Sequence, residues 1–385
     1  MKRAVSVLGL LMVVGGLSAN TRAVLSPEAR PESQATRATM RGIFTAFTSV
    51  YSRSLDMDYF SDPRNRDAVA ASLEAFAANA KALDDHGGGL DPSFGFLRQS
   101  LAADADEVLK RYREGQYLGS QFMLNKLMED CAACHLRLPA DEAVDFSADF
   151  LKQAEIGKLS PVDRVSVEIA SRQFGRALAT YEEILASPSI PAEGLAMIGA
   201  FEGYLKICIG VRNQTERPIR TFETFMERDD MPTDLKQQVG GWIGELKALD
   251  LSKAPGKELV LARSLAGDAP VLSRPPSDRS GLVRMVAANA SLHQYLQSVS
   301  SYDTEASEAY YLLAVTESHI ARSDWINEVD YLLEQAVRSD PKSAFAQKAL
   351  GILEERSKTA QPAGAYQGRQ TPAVNIDELR KLVEG

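Results

Sequence analysis

The chain has 385 residues, of which 45% are hydrophobic and 25% are charged. These proportions are ordinary for a soluble globular protein, and the length exceeds the size at which one hydrophobic core usually stops growing, so two domains are expected. A formal net charge of −9 argues against nucleic acid or an anionic membrane as a partner. A total of three cysteines excludes a disulfide-dense scaffold.

The N-terminus has the pattern of a secretory signal peptide, predicted over residues 1–23. A basic start precedes an apolar run over residues 5–17, and small residues offer cleavage after Ala23, or alternatively after Ala19. The run is too short for a membrane span, so no integral membrane segment is expected in the mature chain. Cleavage after Ala23 removes three basic residues and no acid, which takes the net charge from −9 to −12. We therefore expect an exported, periplasmic protein.

One short motif carries chemistry. Cys131, Cys134 and His135 form a C-x-x-C-H pattern, in which two thiols can bond to the two vinyl groups of a haem and the adjacent imidazole can bind its iron. A zinc site would need a second Cys or His pair, and a thioredoxin-type pair would need an α/β context. Neither is present in the sequence. The motif predicts one covalent haem c, with His135 as an iron ligand.

The segment that leads to this motif predicts an all-α domain over residues 33–139. Apolar residues recur at helical spacing in four stretches, separated by short Gly- or Pro-containing turns, and this pattern predicts an up-down-up-down four-helix bundle. The end of the fourth helix would then lie beside the start of the first. The first two predicted helices cover about residues 33–55 and 66–85, and the third runs from Asp91 and Pro92 to a break at Gly115. The fourth carries the apolar residues Leu118, Phe122, Leu124 and Leu127, then the motif, and stops near Pro139.

Residues 33–138 resemble the class II c-type cytochromes, the cytochrome c-prime group. The resemblance rests on the haem motif near the end of the fourth helix and on the segment from Arg37 to Arg41 early in the first. It implies a four-helix bundle, a position for Met40 facing the sixth iron site, a contact of Arg137 with a haem propionate, and a possible homodimer. Family members with Met at the distal position are similar to low-spin electron carriers, whereas members with a bulky apolar residue there bind small gases.

Three arrangements of the sixth iron site stay open on the sequence. Met40 is one candidate ligand, although a methionine at the start of an apolar stripe is commonly a core residue. His86 is the alternative ligand, because the second helix ends at the same pole as the motif, although it borders a Gly-rich loop. In the third arrangement the iron has no sixth protein ligand and Phe44 lies over it.

The remainder of the chain is also predicted to be helical. Residues 140–251 and 281–358 have apolar and small residues at spacings typical of tetratricopeptide-like helix pairs, which stack into an α-solenoid. The Pro- and Gly-containing range 252–280 is predicted to be a linker. The range 359–385 is predicted to be a mostly disordered tail that ends in a short helix. Cys208 is expected to be a buried, inert thiol.

The leading functional hypothesis is a periplasmic cytochrome that carries single electrons and whose repeats dock a redox or assembly partner. The first alternative is a five-coordinate haem protein that binds nitric oxide or carbon monoxide. The second is a scaffold protein in which the haem is structural. Enzymatic activity is not expected, since a peroxidase would need a distal histidine and His86 alone could serve.

Overall fold

The structure is a computed structural model, and it describes residues 31–84, 92–138, 156–251, 256–273, 278–299, 302–321, 326, 328–359 and 374–385. These residues form helices and connecting turns and contain no β-strand, so the all-α prediction is confirmed. Among the described helices, none combines the length and the apolar composition that a membrane crossing requires. The predicted signal peptide and His86 lie outside the described residues.

The helices fall into two groups along the chain. The first group comprises α1 (Pro31–Ser54), α2 (Met57–Ser61), α3 (Arg66–Asp84), α4 (Pro92–Arg113) and α5 (Tyr117–His135). The second group comprises α6 (Pro161–Ala170), α7 (Phe174–Ala186), α8 (Ala192–Met197), α9 (Ala200–Leu205), α10 (Glu216–Phe225), α11 (Thr233–Ala248), α12 (Glu258–Ala266), α13 (Leu282–Ser298), α14 (Thr304–Ile320), α15 (Glu328–Ser339), α16 (Ala344–Thr359) and α17 (Ile376–Glu384).

The four long helices of the first group run antiparallel to their neighbours along the chain. The Ser120 hydroxyl near the start of α5 donates to the Val108 carbonyl near the end of α4 at 2.9 Å. The Gln121 side chain donates to the carbonyl of Ser54, the last residue of α1. Because the start of α5 adjoins the end of α1, the end of α5 lies at the same pole as the first turns of α1.

These helices enclose one apolar core, which we call core 1. The apolar stripes predicted for the first three long helices are buried almost completely, with Leu73 and Leu97 at 0% exposure. The stripe predicted for α5 is wrong at two positions, because Leu118 and Phe122 are 73% and 44% exposed. Core 1 also receives Val167 and Ala170 of α6, so the second group of helices packs directly on the first.

The second group encloses two further cores. Core 2 lies among α6 to α11 and the first turns of α13, around an aromatic cluster of Phe201, Phe222 and Trp242. Core 3 lies among α12 to α17. From α12 to α17 each helix packs on the next in the chain, which is the nearest-neighbour contact expected of helix pairs.

The structure bears on two segments that the sequence prediction treated as connecting or tail regions. The range 252–280, predicted to be a linker, contains α12, because Leu259, Ala262 and Ala266 are spaced by three and four positions and fill core 3. Within the predicted tail, the short terminal helix is present as α17, and it docks through Leu379, whose side chain is 0% exposed.

The docking of α17 gives a testable prediction. Replacing Leu379 by Ala removes the one fully buried side chain of this helix, at a cost of about 2–5 kcal/mol. Because α17 packs chiefly on α15 and α16, we expect it to undock rather than unfold the protein, with roughly tenfold or faster amide exchange over residues 376–384. Leu382→Ala is the matched control, since Leu382 on the same helix is 39% exposed. Equal exchange in the two variants would contradict this docking.

Candidate functional site

The haem motif occupies the last turn of α5. The chain reverses between α4 and α5 at Gly115, whose φ of +77° is a left-handed conformation that glycine adopts without strain. Cys134 and His135 follow Cys131 by three and four positions in a continuous helix, so the three side chains lie on one helix face. The helix thus presents two thiols and an imidazole together, which is the donor set that covalent haem attachment requires.

The two thiols of the motif are unpaired, half-buried and protonated at neutral pH. Burial raises the pKa of the Cys131 thiol well above its usual range and that of the Cys134 thiol to about 12. The C-terminal end of α5 also carries partial negative charge, which disfavours a thiolate. Redox-active cysteine pairs instead have lowered pKa values, often at a helix N-terminus. This environment therefore does not favour a dithiol–disulfide redox function.

The imidazole of His135 is buried against the end of α6. Burial lowers its pKa from 6.5 to about 4, an effect that the nearby positive charge of Arg172 reinforces and that hydrogen bonding to the carbonyls of Ile169 and Ala170 opposes. The ring is therefore neutral at pH 7, as an iron ligand must be. Its Nδ1 atom has no hydrogen-bond partner among the described residues, so the ring retains capacity for a further ligand. These properties fit the predicted haem.

The sequence-predicted distal residues lie at the same pole. Met40 and Phe44 are one helical turn apart in α1, both half-buried, and both pack on core 1, as does Cys131. The structure therefore brings Met40, Phe44 and the motif to one end of the helices, while it describes nothing of His86.

The last turn of α5 is also the place where core 1 and core 2 meet. Cys131 packs on core 1, and Ala132 and Leu136 pack on core 2. The carbonyl oxygen of Leu136 lies beside Gly210, in a π-helical turn over Lys206–Val211. π-Helical turns interrupt α-helices at functional sites more often than elsewhere.

Arg137, two residues after His135, points into the second group of helices. Its Nη1 donates to Glu328 Oε1 at 2.5 Å and its Nη2 donates to Glu328 Oε2, while Glu317 lies 3.6 Å away. The guanidinium is therefore bound by carboxylates of α14 and α15 in this structure. The contact with a haem propionate that the resemblance implied stays a prediction.

The sequence analysis missed the carboxylates of this cluster. Glu317 and Glu328 are separated from Arg137 by more than half of the second group, and neither belongs to a recognisable motif. One signal was available, because an arginine beside the apolar residues Leu136 and Leu138 needs a buried acid if the segment packs in an interior.

Comparisons of the chain with protein-family models, with curated proteins and with solved structures found no match. Within the described ranges, no group of three or more His, Cys, Asp and Glu side chains is arranged to hold a metal ion. The motif and the residues around it are therefore the evidence for the function of the chain.

Because the His135 imidazole is buried, we expect the free energy of unfolding of the haem-free protein to depend on pH. Since the pKa of His135 is about 4 in the folded chain and 6.5 in the reference state, the unfolded chain binds more protons between these values. Above pH 6.5 this histidine makes its full contribution to the free energy of unfolding. The contribution decreases as the pH falls from 6.5 towards 4, by up to about 3 kcal/mol.

Urea unfolding of haem-free protein at several pH values measures this effect. We expect His135→Gln to show a smaller loss of stability between pH 7 and pH 4 than the unsubstituted chain. His319→Gln, at a histidine outside the site whose ring contacts the Pro270 carbonyl, is the control. An unchanged pH dependence in His135→Gln would show that this imidazole is not buried as described.

Proposed function

We propose that the protein is a monohaem c-type cytochrome of the class II type, which carries single electrons in the periplasm. The observation that carries the proposal is the last turn of α5, where two unpaired thiols and a buried, neutral imidazole share one helix face. The antiparallel arrangement of α1, α3, α4 and α5 supports a four-helix bundle as the haem domain.

The residues of the chain have distinct roles in this proposal. Cys131 and Cys134 would hold the cofactor through thioether bonds, and His135 would supply an imidazole nitrogen to its iron. Met40 is the proposed sixth ligand, and Phe44 packs beside it at the same pole. When bound, the haem supplies an iron centre that takes up and releases one electron. The protein sets the ligands and excludes water, and it makes or breaks no substrate bond.

The second group of helices is proposed to form a tetratricopeptide-like solenoid that docks a redox or assembly partner. Successive packing from α12 to α17 supports this architecture, because repeats of helix pairs stack on their neighbours in the same way. Stacked helix pairs present extended concave surfaces, which suit protein binding.

Gas binding is the second candidate function, and the position of Phe44 favours it. Phe44 is half-buried one turn from Met40 and packs on the same core, so it could cover the iron in place of the methionine thioether. The iron would then have one protein ligand and an open site for nitric oxide or carbon monoxide. A structural haem in a scaffold protein is the remaining alternative.

Covalent attachment can be tested on exported protein produced with the attachment machinery. We expect the wild type to keep its haem absorbance after denaturation, and Cys131→Ser/Cys134→Ser to lose essentially all of it. Cys208→Ser is the matched control, because Cys208 is a fully buried thiol far along the chain from the motif. Loss of haem in the control alone, or retention in the double variant, would contradict the attachment site.

The sixth ligand is tested by optical and paramagnetic resonance spectra of oxidised and reduced protein. We expect a low-spin wild type with a weak methionine-to-iron band near the red edge of the spectrum. Met40→Ala should lose this band and bind carbon monoxide readily. Met57→Ala, at another partly buried methionine on core 1, should keep the wild-type spectrum. A wild type that is already high-spin would reject Met40 as ligand and favour gas binding.

A further inference from the structure

The residue Arg137 forms a buried charge cluster between the haem motif and the second group of helices. The Arg137 and Glu328 side chains are each 8% exposed, and they pair through two hydrogen bonds, Nη1 to Oε1 and Nη2 to Oε2. Bidentate pairing of this kind fixes both the position and the orientation of the guanidinium plane. The end of α5 is thereby attached to the first residue of α15.

A second carboxylate completes the cluster. The Glu317 side chain lies 3.6 Å from the Arg137 guanidinium and accepts a hydrogen bond from Asn289 Nδ2 at 2.9 Å. Burial raises the pKa of the Glu317 carboxyl, but the positive charges of Lys206 and Arg137 outweigh it, so the net pKa is lowered and the group is ionised. Two carboxylates therefore face one guanidinium, and all three side chains are buried.

The backbone of the same segment is held independently. Gln297 of α13 donates from Nε2 to the carbonyl oxygen of Arg137 at 3.2 Å. At the same pole, Phe96 near the start of α4 stacks on Tyr331 of α15, with ring centroids 4.4 Å apart and an interplanar angle of 16°. Helices α13 to α15 thus contact the pole of the first group at which the haem motif lies.

This arrangement brings the charges close to the proposed cofactor. Arg137 and Glu328 both act electrostatically on the Cys134 thiol, the first lowering its pKa and the second raising it, although burial has the largest effect. An oxidised haem iron carries one more positive charge than a reduced one, so buried charges beside a haem held by Cys134 and His135 would stabilise the two oxidation states to different extents.

We propose that the Arg137–Glu328 ion pair, with Glu317 beside it, positions the last turn of α5 and sets the local charge, so that helices α13 to α15 control the oxidation–reduction equilibrium of the haem. The inference rests on the proposed cytochrome function. In this proposal Arg137 and Glu328 are positioning residues, and the second group of helices forms part of the wall of the haem site.

The two partners should act in opposite directions. Glu328→Gln removes a negative charge and leaves Arg137 with Glu317 alone, which favours the reduced haem. Arg137→Gln removes the positive charge between two carboxylates, which favours the oxidised haem. We expect each change to shift the ratio of oxidised to reduced protein at a fixed solution potential by about threefold or more. A purely structural role would loosen the site in both variants and give shifts of one sign.

Two further variants separate charge from position. Glu202→Gln is the matched control, because Glu202 pairs with Arg279 at 3.1 Å with both side chains 8% exposed, and it is not among the charged groups that contact Arg137. It should leave the ratio unchanged. Arg137→Lys keeps the charge and loses the bidentate geometry, so the ratio should stay near that of the wild type. Its amide exchange over residues 128–138 should nevertheless increase.

Spectroelectrochemistry and hydrogen exchange on the full-length protein test the proposal together. Opposite shifts in Glu328→Gln and Arg137→Gln, with faster exchange at the end of α5 and none of these effects in Glu202→Gln, would support it. Shifts of the same sign, or no shift, would overturn it. If the purified wild type holds no haem, the proposed function has failed and control of the haem equilibrium falls with it. Exchange over residues 128–138 in haem-free Glu328→Gln then decides separately whether the ion pair positions α5.

Discussion

A guanidinium is costly to bury unless carboxylates or other acceptors pair with it, and this constraint determines where the end of α5 lies. Arg137 follows His135 by two residues, and its burial requires the end of α5 to lie where Glu328 and Glu317 can reach it. Because those carboxylates belong to α14 and α15, the position of the motif depends on how the second group of helices is packed. Removing Arg137 would leave two buried carboxylates without their guanidinium, and removing Glu328 would leave Arg137 with Glu317 alone.

Two of the three apolar cores, core 1 and core 2, meet at this point. A helix that ends in the middle of a chain normally exposes its last carbonyls, but the last turn of α5 has Cys131 on core 1 and Ala132 and Leu136 on core 2. The surrounding burial keeps both thiols protonated and the His135 imidazole neutral. The packing that joins the helix groups therefore also prepares the donor set for a haem.

The Arg137–Glu328 ion pair would also couple partner binding to the state of the haem in the proposed cytochrome. A partner that binds helices α13 to α15 would contact the same elements that hold Arg137, so docking and the electron equilibrium would be coupled through the ion pair. In a protein whose domains were joined by a flexible linker alone, docking would bring the haem near its partner without altering its properties. The direct contacts of α5 and α4 with α15 distinguish these two situations.

Local pattern was sufficient for much of the fold. Apolar residues at helical spacing predicted the four long helices and most of core 1, because an amphipathic helix buries its apolar stripe whatever its partner is. The same rule failed for Leu118 and Phe122, since α5 buries Ser120 and Asp130 instead, and a polar residue on a core face is invisible to an apolar pattern. The helix α12 was not predicted, because the range around it is rich in Pro and Gly. Three apolar residues, Leu259, Ala262 and Ala266, are enough to dock it.

The contacts around the motif could not be predicted in the same way. The motif itself is a local signal, because its chemistry needs adjacent residues. The partner of Arg137 is 191 positions away, and only the packing of the whole chain brings Glu328 to it. The π-helical turn beside Leu136 also depends on tertiary contacts, as no residue in Lys206–Val211 imposes it.

The measurement that tests the central claim most directly is the intact mass of the denatured, exported protein, together with the mass of the peptide that contains Cys131 to His135. The account predicts a chain heavier than its mature polypeptide by one haem, with the added mass located on that peptide. An unmodified mass, in protein made with the attachment machinery present, would contradict it.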